Sequence, residues 1–78
     1  MDWKEENGFL VKEYTFKDFK ETFSFMIKVA ALAEEQQHHP LWTNVYNRLE
    51  IKLQTHDAGN CITDKDRKLA KDIDALLN

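Results

Sequence analysis

The chain is poor in the residues that staple or break up a fold. It has one cysteine, Cys61, so no internal disulfide and no Cys-pair metal site can form. It has one proline, Pro40, and two glycines, Gly8 and Gly59, so no Pro/Gly/Ser-rich linker divides it. No internal repeat or low-complexity tract is present. No apolar run approaches the ~20 residues of a membrane span. The opening "MDWKEENGFL" is charged and lacks the apolar centre of a secretory signal. Lys and Arg are scattered, and the net charge is −3, which argues against a nucleic-acid backbone as partner. A soluble, cytoplasmic protein is the expectation, in keeping with a lone thiol. The 78 residues make one domain spanning residues 1–78. A chain of this size buries only ~60% of its unfolded surface, so self-association is expected to supplement the core.

What is present is a change of hydrophobic period along the chain. "ENG" around Gly8 is a turn signal. It separates two strand candidates, residues 2–6 and residues 9 to about 15, the second rich in aromatic and β-branched side chains. From Phe16 the apolar positions Phe16, Phe19, Phe23, Met26, Ile27 and Ala30 follow one face of a helix. Thr15 as N-cap and Asp18 after it resemble a capping box. Pro40 disfavours helical geometry at His39, so the helix is expected to end near His38. Phe25, Val29 and Leu32 form a second stripe, roughly opposite the first at ~100° per residue. This second stripe is expected to face another subunit.

"LWTNVY" reads as a strand, and "RLEIKLQT" alternates, with Leu49, Ile51 and Leu53 on one face. "HDAGN" reads as a loop. Thr63 and Asp66 open a last helix with the stripe Leu69, Ile73, Leu76 and Leu77. The order β-β-α-β-β-α predicts an α+β fold: a four-stranded antiparallel sheet with helices packed on one face.

The three histidines, His38, His39 and His56, gather around one short region. The first helical stripe ends in Glu34 and Gln37 with His38 close by, so this end either runs into solvent or lines a pocket. A single His at a helix C-terminus commonly serves the dipole alone. The proline after the pair turns the chain and frees His39 from helical geometry. His56 shares the parity of the charged strand residues, which points it away from the core unless the strand bulges. Glu34 and His38 stand at i, i+4, as helical metal ligands do, with His56 as a third, but no HExxH motif accompanies them. No metal is expected. Asp66 reads first as a helix cap, and Trp42 first as core.

Together these residues resemble a known family. Glu34, then His38-His39-Pro40, Tyr46, His56 and Asp66 at their spacings, with "HHPLWTNVYN", "THD" and "TDKDRKLAKDID", resemble the pterin-4a-carbinolamine dehydratase family from about Trp3 to Leu76. The resemblance implies a 4a-hydroxytetrahydrobiopterin dehydratase. Such an enzyme removes water from a 4a-hydroxytetrahydropterin to give the quinonoid dihydropterin, without metal or organic cofactor, in tetrahydropterin recycling. It implies catalytic roles for His38, His39 and His56. His38 and His56 would share the acid and base roles and His39 would orient the pterin; which is acid and which is base stays open. It implies pterin contacts by Gln37, Thr55 and Asp57, partly through main chain, and support by Glu34. Trp42 and Asp66 match the motif as well. A homodimer or homotetramer is implied. Two departures stand out: the N-terminal helix of longer members is expected to be missing, and Ala58 occupies a position where some relatives carry cysteine.

Two rivals remain open at this stage. One is a non-enzymatic dimerisation cofactor that binds a protein partner through a helix surface. The other is a pterin enzyme of molybdopterin metabolism.

Overall fold

The structure, a computed structural model, describes residues 2–77. Its elements run β1 (Lys4–Glu6), β2 (Phe9–Thr15), α1 (Phe19–Gln36), β3 (Leu41–Val45), β4 (Arg48–Leu53) and α2 (Asp64–Ala75), with a 3-10 turn at His56–Ala58. The strands form one antiparallel sheet in the order β1-β2-β4-β3. The β1–β2 hairpin closes through Asn7 and Gly8, both at positive φ (52° and 82°), which is the backbone an Asn-Gly loop favours. The sequence expectation of an α+β sheet-and-helix domain holds.

The register of the central pair decides which side is the core. Leu10 lies opposite Leu53 and Tyr14 opposite Leu49, so β2 and β4 present Leu10, Tyr14, Leu49, Ile51 and Leu53 to one face. Both helices cover that face, α1 through Phe25 and Val29, α2 through Leu69, Ala70 and Ile73. The other face carries Glu13, Arg48, Glu50 and Lys52, with the Lys52 ammonium over the Phe9 ring.

Helix α1 differs from expectation in start and in phase. β2 pairs through Thr15, and the N-cap is Asp18, whose carboxylate accepts from the Glu21 N–H at 2.8 Å. The Thr22 hydroxyl donates to the Asp18 carbonyl at 2.7 Å. Phe16 is therefore not helical; it packs on Phe25 with ring centroids 5.0 Å apart. Counting Phe16 as the first member of the inward stripe assigned the wrong side to the core. The buried residues of α1 are Thr22, Phe25, Val29 and Ala33, and Leu32 is half-buried. Phe19, Phe23 and Ile27 are exposed instead, and the Phe19 and Phe23 rings stack 5.7 Å apart. The exposed apolar face of α1 is thus Phe19, Phe23 and Ile27 of the first stripe, not Phe25, Val29 and Leu32, while Phe16 and Met26 of that stripe pack against the core.

Smaller differences follow from local chemistry. β1 is shorter than residues 2–6 and β4 stops at Leu53 rather than Thr55. In α2, Leu69 and Ile73 are buried, whereas Leu77 is exposed because it lies past the end of the helix. Among the described residues no helix is long and apolar enough to cross a membrane.

Candidate functional site

The end of α1 aims His38 inward. Gln37 takes a left-handed conformation (φ 51°), its N–H donates to the Glu34 carbonyl, and the His38 N–H donates to the Ala33 carbonyl at 3.0 Å. This is the Schellman geometry with glutamine where glycine is usual. The strain is offset locally. The Gln37 side-chain amide donates to the Glu34 carbonyl at 2.6 Å and to its carboxylate at 2.9 Å. Reversing the chain there folds His38 back under the helix toward α2, while His39 points outward.

His38 is buried, and its Nε2 is bonded to Asp66 Oδ1. Asp66 has no exposed surface at all. Its Oδ2 accepts from the Thr55 hydroxyl and from the Thr63 N–H, each at 2.8 Å. Thr63 and Asp66 form the expected capping box at the start of α2. Burial pushes the Asp66 carboxyl upward. The hydrogen bonds from His38, Thr63 and Thr55 outweigh it and hold the group below the usual carboxylate range. Among the described residues no buried side-chain nitrogen or oxygen lacks a partner. Among the described residues His38 Nδ1 has no hydrogen-bond partner and is not sealed from solvent, and His38 is one of the residues that line a cleft.

That cleft, about 250 Å³, brings together Gln37, His38, His39, Thr55, His56 and Asp57. His56 opens the 3-10 turn, so the strand parity that counted against it does not apply. Its Nδ1 lies 2.9 Å from Asn60 Oδ1, which makes Nδ1 the protonated nitrogen and leaves Nε2 free. His39 is largely exposed, 3.7 Å from the exposed Glu34 carboxylate. Glu34 does not line the cleft; it holds Gln37 and His39 from behind. Trp42 is half-buried against the core and lines no part of the cleft. Asp66 does not line the cleft but bonds two residues that do, His38 and Thr55. Among the described residues no three His, Cys, Asp or Glu side chains converge as metal ligands would.

Sequence reasoning missed Gln54 and Lys65, which also line the cleft, and Asn60, the partner of His56. A weak signal existed for Asn60, four residues after His56 across a Gly-containing turn. None existed for Lys65, which meets the cleft only because α2 docks beside the 3-10 turn. A hollow of about 320 Å³ between β1 and α2, with Trp3, Leu10 and Asp74 in its walls, holds no histidine.

Known proteins share this arrangement of sequence and fold. The profile of the family described as Pterin 4 alpha carbinolamine dehydratase matches residues 1–76. A protein of Synechococcus sp. (strain WH7803), provisionally named pterin-4-alpha-carbinolamine dehydratase, is 55% identical over 74 residues, covering 95% of this chain and 78% of the relative. A protein of Solibacter usitatus (strain Ellin6076) with the same provisional name is also 55% identical over 74 residues, covering 95% and 77%. The crystal structure of a transcriptional coactivator/pterin dehydratase from Brucella melitensis superposes with a TM-score of 0.91 at 36% identity, covering 97% of this chain and 82% of that one. A pterin dehydratase-like protein identified as a RuBisCO assembly factor in the alpha-carboxysome superposes at 0.82 with 28% identity, covering 97% and 89%.

Proposed function

The chain belongs to the pterin-4-alpha-carbinolamine dehydratase family, and from that membership we propose that it removes water from a 4a-hydroxytetrahydropterin to give the quinonoid dihydropterin, in tetrahydropterin recycling. The observation that carries this reading is the pairing in one cleft of a buried His38, anchored through Nε2, with the solvent-facing His56. The reaction needs two proton transfers and no net proton. A base takes the proton from N5, the N5–H electron pair becomes the new N5=C4a bond, the C4a–O bond breaks, and an acid protonates the departing oxygen. Neutral His38, with its proton held on Nε2 by Asp66, offers Nδ1 as the base. His56 in its imidazolium form, with the Nδ1–H held on Asn60 Oδ1, gives its Nε2 proton as the acid and is left neutral. Exchange with solvent then resets both rings. His39, Gln37 and Asp57 line the same cleft, which supports a role in orienting the pterin. The exposed free Cys61 suits a reducing cytoplasm.

The test is dehydration of chemically generated 4a-hydroxytetrahydropterin, followed by absorbance of the quinonoid product. The purified protein should accelerate it with chelator present. His38→Ala and His56→Ala should each lower kcat by about 10²–10⁴-fold with the fold intact. Near-normal rates in both variants would sink the mechanism.

A second reading is supported by one observation. The exposed Phe19, Phe23 and Ile27 stripe is an apolar helix face open to a protein, and one structural neighbour is described as an assembly factor. We assign this face first to self-association as a homodimer or homotetramer. A chain with no dehydratase activity that remains monomeric would favour the binding-module reading.

A further inference from the structure

Asp66 is the one charged side chain among the described residues with no exposed surface, and its hydrogen bonds have a fixed direction. An ionised carboxylate only accepts. Thr55 therefore spends its single hydroxyl proton on Asp66 Oδ2. Its 2.7 Å contact with the Thr63 hydroxyl must then run from Thr63 to Thr55. The Thr63 oxygen in turn accepts from the Lys65 N–H at 3.3 Å. The donors form an ordered chain that ends on the carboxylate holding His38. Helix capping alone does not require it. A capping box uses Thr63 and Asp66, whereas Thr55 lies outside α2, beyond β4 and bridged to Cys61, and reaches both side chains from there.

We infer that Thr55 and Thr63 are positioning residues for His38: their hydroxyls hold Asp66 Oδ2 and so orient the carboxylate, whose Oδ1 then takes the His38 Nε2 proton and leaves Nδ1 as an acceptor. The catalytic meaning of this arrangement rests on the dehydratase reading; the tautomer does not. Thr55 is 5% exposed, so its side chain serves the site through Asp66 rather than by touching a ligand. Removing the Thr55 hydroxyl frees a lone pair on a dry carboxylate. The carboxylate is then free to turn, and its hold on the His38 Nε2–H loosens. The other charged or titratable groups around His38 are Glu34 and His39 beside the end of α1, His56 and Asp57 in the 3-10 turn, and Lys65 on α2. Thr55→Val alters none of them, so a change in the His38 ring signals reports on Asp66.

The experiment is a ¹⁵N NMR titration of the histidine rings in the full chain, without substrate, for wild type, Thr55→Val and Thr55→Ser. Neutral wild-type His38 should appear as the Nε2–H tautomer. Thr55→Val should lower the Nε2–H fraction of neutral His38, read from its two ring ¹⁵N shifts. Thr55→Ser should restore it. Should Thr55→Val not fold, Thr63→Val gives a smaller change of the same sign. An Nδ1–H tautomer in wild type, or His38 ring signals unmoved while thermal stability falls, would overturn the inference and leave Thr55 merely structural. The dehydratase reading fails separately, if wild type does not accelerate dehydration while the tautomer and its shift are as expected.

Discussion

At Asp66 burial and hydrogen bonding pull in opposite directions, and the hydrogen bonds win. The consequence is a dependence of stability on acid. Its folded carboxyl holds a proton less tightly than its unfolded one, so the unfolded chain binds more protons as pH falls. The stabilisation is complete above the ordinary carboxylate range and is lost as pH drops through it toward the lower folded value. Asp66→Asn should be less stable by about 1–3 kcal/mol near neutrality, because it disturbs a buried, fully used acceptor. Its stability should also be flatter than wild type's between about pH 2 and 5, as read by urea unfolding. The role of Asp66 as a cap was legible from Thr63 and Asp66 in the sequence. Its bond to His38 was not, because His38 lies just past the end of α1 and Asp66 in the first turn of α2, and they meet only when both helices pack on one sheet face.

Helix α1 shows how one misplaced end reverses a whole face. Apolar residues occur on both sides of this helix, so periodicity alone leaves two phases. The choice rests on where the helix begins. Asp18 begins it, and Thr15 remains in β2. Asp18→Ala should therefore cost about 0.5–2 kcal/mol, the usual loss of an N-cap, while Thr15→Ala should fall well below that; thermal unfolding of both variants decides it. The same phase leaves Phe19, Phe23 and Ile27 outside. A charge placed there should break the proposed self-association without unfolding the chain. For Phe23→Glu, a lower mass by light scattering with an unchanged circular-dichroism spectrum is the expected outcome. Dissociation by a charge in the Phe25–Val29 stripe would come only with unfolding, since those residues are core.

Across the whole molecule the fold is tied by a second, half-buried cluster at the other end of α2 from Asp66. Asp74, on α2, accepts from the Trp3 indole at 3.1 Å, the Lys12 ammonium at 2.8 Å and the Tyr14 hydroxyl at 2.6 Å. One carboxylate thus joins the first strands to the last helix. Burial, then the Asp74 hydrogen bond and its charge, push the Tyr14 hydroxyl well above the ordinary tyrosine value of 10.0. A raised folded value means that the protonated folded state is favoured. Its contribution is complete below that ordinary value and is lost as pH rises above it. Tyr14→Phe should lose about 1–2 kcal/mol at neutral pH and should unfold less steeply than wild type in alkali, measured by denaturation against pH.

The order of elements, the inward faces of β4 and α2, the Thr63–Asp66 cap and the family were all determined by the sequence itself. Each rests on neighbours a few residues apart or on a motif of fixed spacings. Only the tertiary structure decided which face of α1 is core, that His56 escapes its strand parity in a 3-10 turn, and that His38 is held by Asp66, Thr55 and Thr63. Those facts depend on contacts between elements distant in the chain. A period of 3.6 or 2 marks where apolar faces lie, but not which of two such faces a sheet will cover.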